Sequence, residues 1–147
     1  MFQYQPFCKF LRMKTPYDHL GDAGIRRLVD TFYDAMDQLP DAAEIRAMHG
    51  SDLGPMRKAL TTYFISWMGG PPVYPALKGS MCLTEAHSHF MIGPRARDQW
   101  LHCMDVALES IEPEVRAMLE LPLRRVAEAV QNAQSDDHGD VRLIARG

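Results

Sequence analysis

From Asp22 onward the apolar positions of this chain recur at steps of three and four, the period of a helix with one buried face. Ile25, Leu28, Val29, Phe32, Tyr33 and Met36 form the first stripe, and Pro40 closes it. Asp41 is suited to cap a short helix running through Met48. The stretch HGSDLGP, 49–55, reads as a turn. Met56, Leu60, Tyr63, Phe64 and Trp67 then mark a second amphipathic helix, which GGPP at 69–72 stops. Residues 73–80 read as loop and 81–88 as a short apolar turn carrying His87. A third long helix begins near Pro94, with Trp100, Cys103, Met104, Ala107, Leu108 and Ile111 on one side. A fourth spans 112–133, bent or broken at Pro122. No segment alternates like a strand. The pattern predicts an all-α fold, with two long helices before the histidine segment and two after it.

The flanks differ from this core. Residues 1–16 read as an irregular leader whose Phe2, Tyr4, Phe7 and Phe10 can pack on the domain surface, 17–133 as one domain, and 134–147 as a polar, mobile tail. A length of 147 residues, 46% hydrophobic and 24% charged, suits a single domain with a sizeable core. The net charge is −3 and the Lys and Arg residues are scattered, which argues against a nucleic-acid footprint. Cys8, Cys82 and Cys103 are an odd number with no CxxC pairing, so a reducing compartment is expected. No stretch reads as a signal peptide or a membrane span, and the expected location is cytoplasmic.

The candidate chemistry lies in MCLTEAHSHFMIGP, 81–94. On a helix, His87 and His89 would point about 200° apart, so only one can face a pocket. His87 shares its face with Leu83, and Phe90 and Ile92 follow, so His87 is the inward candidate. An imidazole in an apolar setting suits axial ligation of a haem iron. It equally suits a core histidine bonded to a backbone carbonyl, and this segment alone leaves both open. A zinc site built from Cys82, His87, His89, His102 and Cys103 is a further alternative, although those residues lack a familiar paired spacing. Tyr33, Trp67 and Trp100 all fall on inner helix faces, and each carries a donor that needs a partner when buried. Together they favour a cavity with polar tips over a plain core, unless those tips reach the surface or backbone carbonyls.

The run RRLVDTFYDAMD, then MHGSDL, SWMGGPPVY, AHSHFMIG and RDQWLHCMDVAL, in that order, resembles the group II truncated haemoglobins, small bacterial globins with a two-over-two helical sandwich. The likeness spans about Tyr17 to Ile111. It implies a haem b cofactor with His87 as the iron's proximal ligand; His89 falls where the family often has proline. It places Tyr33 as the distal tyrosine and Trp100 as the tryptophan whose N–H points over the haem. His49 falls at the start of the turn between helices, where the family has Tyr, His or Phe. Met56 takes the distal-gate position, with Leu60 and Phe64 next along that inner face. Leu83 and Phe90 flank His87. The implied activity is binding of O₂ and other diatomic ligands with slow release, together with redox chemistry on peroxide or nitric oxide served by an unidentified reductase, in a monomer or homodimer.

The chain departs from the family where it usually reads RH, with Ala86 before His87, and where it reads GHP, with Gly79, Ser80 and Met81. Basic partners for the haem propionates are therefore missing, and Lys78 and Tyr74 are the substitutes at hand. Met56 is larger than the usual gate residue. These departures keep a second reading in view: a haem-less, globin-like sensory or interaction module.

Overall fold

The computed structural model describes residues 13–74 and 87–136. All regular structure among these residues is helical. It consists of α1 (Pro16–Gln38), a one-turn 3-10 helix (Pro40–Ala42), α2 (Ala43–Ala47), α3 (Gly54–Trp67), α4 (Pro94–Leu108) and α5 (Pro113–Val130). The expected four long helices and short second helix are all present. The leader up to residue 12, positions 75–86 of the expected loop and apolar turn, and the tail from 137 lie outside the described residues; Val73 and Tyr74, expected in the loop, are helical.

The long helical run starts at Asp22, as its pattern implies, but one further turn precedes it. Pro16 opens that turn behind a Thr15 capping box, in which Thr15 Oγ1 accepts from the Asp18 N–H at 3.1 Å and an Asp18 carboxylate oxygen accepts from the Thr15 N–H at 2.9 Å. The chain then kinks at Gly21, whose φ of 64° and ψ of 179° lie outside the helical region. A single turn is too short to show an apolar period, so the stripe alone could not reveal it.

α1 supplies the centre of the core. Ile25, Leu28, Val29, Phe32 and Met36 are all buried, and they face both α3 and α4. α4 in turn packs on α5 through Cys103, Met104, Ala107 and Leu108 against Val115, Leu119 and Leu123. Charged side chains pin α3 to α1 at the rim. Arg57 donates to the Asp30 carbonyl at 2.9 Å and to the Asp34 carboxylate at 2.7 Å. The expected break at Pro122 does not occur, and α5 runs unbroken from Pro113 to Val130. Pro122 deprives the Met118 carbonyl of its helical donor, but Leu121 beside it is 56% exposed, so solvent is at hand for the lost bond.

The first turn of α1 docks on the end of α3. Tyr17 N–H donates to the Met68 carbonyl at 3.0 Å, and Gly69 ends the helix at a φ of 100°. A Cβ at position 69 would lie 2.7 Å from Thr15 Cγ2. Gly69→Ala therefore combines backbone strain with a clash against the capping box. It is expected to lower unfolding stability by more than about 1 kcal/mol, measured by urea denaturation.

Candidate functional site: an apolar cavity lined by His49, His87 and Trp100

Between α2, α3, α4 and the His87–Ile92 loop lies a cavity of about 530 Å³. That is well within the range of roughly 300–1,000 Å³ typical of small-molecule and cofactor sites. Its walls are mostly apolar: Ile45, Met48, Met56, Ala59, Leu60 and Ile92, joined by Ala127 and Val130 of α5. His49, Trp100 and His87 line the same space from three separate segments. Among the described residues no fully buried side-chain nitrogen or oxygen lacks a partner. Polar groups along this wall are therefore either bonded or open to the cavity.

Each ring has a local reason for its place. Trp100 stands on the second turn of α4, a helix that Pro94 opens, and its ring packs 5.3 Å from that of Phe32. His49 follows the end of α2, and its Nδ1 lies 2.7 Å from the Ile45 carbonyl. A carbonyl can only accept, so Nδ1 carries the hydrogen. The neutral ring then has a bare Nε2, which accepts. His49 is thus not an additional N–H donor to the cavity in its neutral form. α2 is itself held to α4, since the Ile45 N–H donates to Gln99 Oε1 at 3.1 Å. His87 sits in a turn, half-buried, with its carbonyl accepting from the Phe90 N–H at 3.1 Å.

The expected site residues divide into groups. His49, Met56, Leu60, Tyr74, His87, Phe90 and Trp100 all line the cavity. Met56 and Phe90 are 41% and 46% exposed, which places them at its mouth. Tyr74 stands edge-on to Tyr63, with ring centroids 5.0 Å apart. Tyr33 and Phe64 are not lining residues but belong to the layer behind. Tyr33 packs against Phe32 and His49 at 4.9 and 5.9 Å between ring centroids, with the Arg57 guanidinium 5.8 Å from its own. Phe64 is wholly buried, between Tyr63 and Trp67. The inner face of α3 serves both α1 and the cavity, so helical spacing alone does not separate the two kinds of contact. Leu83, Lys78, Ser80 and Ala86 lie outside the described residues.

His89 is exposed and absent from the lining, on the opposite side of the choice from His87. No cluster among the described residues suits the zinc alternative: His89 and His102 are exposed and Cys103 is fully buried. Burial pushes the Cys103 thiol up to about 11, which leaves it protonated and inert at neutral pH. Residue counting from sequence missed Ile45, Ala96 and Arg97. Arg97 is the Arg or Lys that the described lining contains, and its guanidinium is bonded to Asp98 and to Gln131 Oε1.

Residues 15–134 match the family model for bacterial-like globins. This chain belongs to that family. The globin is 31% identical over 106 residues to group 2 truncated hemoglobin YjbI of Bacillus subtilis, covering 71% of this chain and 78% of that one. Its fold superposes on the group II 2-on-2 hemoglobin of Agrobacterium tumefaciens with a TM-score of 0.78 at 36% identity, over 82% of this chain and 96% of the other. It also superposes on the truncated oxygen-avid haemoglobin of Bacillus subtilis, with a TM-score of 0.75 at 30% identity, over 81% and 100%. The architecture is the two-over-two sandwich of the truncated globins, with α1 and α3 forming one layer and α4 and α5 the other. No helix among the described residues is long and apolar enough to cross a membrane.

Burial pushes the Tyr33 hydroxyl up to about 12, although the nearby Arg57 charge pulls the other way. The folded globin therefore holds this proton more tightly than the unfolded chain, whose tyrosine titrates near 10. Stability from Tyr33 is complete below pH 10 and is lost as pH rises towards 12. The loss amounts to up to about 3 kcal/mol. Tyr33→Phe is expected to flatten this alkaline decline, read from denaturation midpoints across that window.

Proposed function

We propose that this globin holds haem b in the 530 Å³ cavity through His87 and retains O₂ and other diatomic ligands with slow release. The observation that carries this reading is the meeting of His87, Trp100 and His49 in one apolar space. The residues fit the group: a neutral imidazole for the iron, apolar walls for a planar ring, and a mouth bordered by Met56 and Phe90. When bound, haem supplies an iron whose open position takes the diatomic ligand.

The chain's own groups then decide how long that ligand stays. Trp100 offers an indole N–H from a rigid helix, and a donor in a dry pocket meets little competition from water. Ile45, Met48, Leu60 and Ala59 keep that pocket dry. Neutral His49 offers an acceptor at Nε2 and takes part in the donor set only when protonated. Tyr33 stands behind His49, with its hydroxyl proton held into strongly alkaline solution. The Bacillus subtilis haemoglobin described as oxygen-avid supports the same behaviour here. Tight retention suits scavenging, sensing or redox turnover with a separate reductase better than shuttling.

A haem-less interaction module is disfavoured by the cavity itself. An interior apolar space lined by His87, His49 and Trp100 suits a bound group, and nothing in a docking role requires it.

Protein expressed with haem available is expected to show a Soret band and an iron–imidazole bond. His87→Ala should abolish that bond, while His89→Ala leaves it nearly intact; an unaltered ferrous spectrum in His87→Ala would refute the assignment. A hydrogen bond to a charged group contributes roughly 1.5–3 kcal/mol. Trp100→Phe is therefore expected to speed O₂ dissociation by about ten- to a hundredfold in stopped-flow measurements.

A further inference from the structure

The segment that follows α5 closes over the histidine loop, and one side chain makes most of the closure. Asn132 Oδ1 accepts from the Ile92 N–H at 2.8 Å. Its Nδ2 donates to the Phe90 carbonyl at 2.6 Å and, more weakly, to the His87 carbonyl at 3.4 Å. The backbone N–H groups of Asn132 and Ala133 both donate to the Ile92 carbonyl at 3.0 Å. Both amide hydrogens and the amide oxygen of this asparagine are thus used on three residues of a single loop. The described part of that loop runs from His87 to the start of α4 as a turn and irregular backbone.

The neighbours of Asn132 hold the segment in turn. Gln131 Oε1 accepts from Arg97 of α4 at 2.8 Å, and Gln131 Nε2 donates to the Ala133 carbonyl at 2.9 Å. Asp136 Oδ1 accepts from the Arg95 N–H at 3.0 Å, in the first turn of α4. Arg95 also pairs with Glu44 of α2. The strap from 131 to 136 therefore ties α5, the loop and α4 together, and reaches α2 through Arg95.

We propose that Asn132 is a positioning residue that fixes the height and orientation of the His87 ring by clamping the 87–92 backbone. This rests on the reading of His87 as the iron's ligand. The geometry argues for an amide in particular. An isosteric carboxylate would keep the acceptor for Ile92 but lose both donors at the His87 end. An aliphatic residue would lose all three. Among the described residues, Asn132 is the side chain bonded to both the Phe90 carbonyl and the Ile92 N–H.

The test uses the full chain with and without haem. In the haem-free protein, Asn132→Ala is expected to speed amide hydrogen exchange at Phe90 and Ile92 by about tenfold or more. In the ferrous haem protein it is expected to shift and broaden the iron–imidazole stretching band and to raise the rate of haem transfer to apomyoglobin by about tenfold. Asn132→Asp separates anchoring from general loosening, and covers the case in which the alanine variant folds poorly. Its Ile92 amide is expected to stay protected while the stretching band still shifts. Unchanged exchange in Asn132→Ala would overturn the clamp. Faster exchange with an unmoved band and haem-transfer rate would overturn the positioning role. A wild-type protein lacking the iron–imidazole band would remove the reading on His87, and the positioning role with it, whatever the exchange shows.

Discussion

One apolar stripe serves two helices, and the remaining structure depends on that division. Ile25, Leu28, Val29, Phe32 and Met36 of α1 are buried against α3 on one side and α4 on the other. α3 and α4 both pack on α1, and residues of each line the cavity. Phe32 and Tyr33 show how this works at the level of single residues. They are adjacent in sequence, yet Phe32 meets the Trp100 ring while Tyr33 meets the His49 ring. The core helix thereby sets the backing of two cavity groups from different elements. Polar ties at the rim then fix what apolar packing leaves free to slide. Arg57 bonds α3 to Asp30 and Asp34 of α1, and Gln99 bonds α4 to α2. Partly exposed ties of this kind add little stability singly, but they are directional where dispersion is not.

The fold was legible because its cause is periodic. Stripes of apolar residues at helical spacing marked α1, α3 and α4, and Gly69 and Pro94 punctuated them. What escaped were features with no period. The turn at Pro16–Leu20 is one turn long and ends in a kink at Gly21. Pro122 carries a strong local penalty, yet burial of Leu119 and Leu123 on either side outweighs it. The polar residues at 131–133 extended the apparent fourth helix, although the chain leaves helical geometry at Gln131, with ψ at 124°. That departure frees Asn132 to reach back to Ile92, a partner 40 residues away that no local pattern announces.

The site was legible to a smaller degree, for a related reason. The angular rule for helices said only that His87 and His89 diverge; the face shared with Leu83 chose His87, which lines the cavity from a turn while His89 does not. Separating wall from backing was harder. Tyr33, Leu60, Phe64 and Trp100 occupy equivalent inner positions by count, but only Leu60 and Trp100 reach the cavity. The protonation pattern of His49 was wholly hidden, since it depends on a carbonyl four residues back that becomes available only once α2 ends.

A cavity of this size ties stability to whatever binds there. The close-packed part of the fold is the α1 stripe and the α4–α5 seam, and the cavity lies beside it. Any group that binds only the folded chain raises apparent stability by mass action, with the logarithm of its concentration over its Kd. Among the elements around the cavity, α2 with its five residues and the His87–Ile92 loop are the short or irregular ones, and the strap after α5 braces that loop. They are the least able to hold themselves by helix propagation. Their dependence on side-chain ties such as Gln99, Asn132 and Asp136 follows from that. A long helix could present an imidazole without such help; a turn can do so only if something outside it supplies the rigidity.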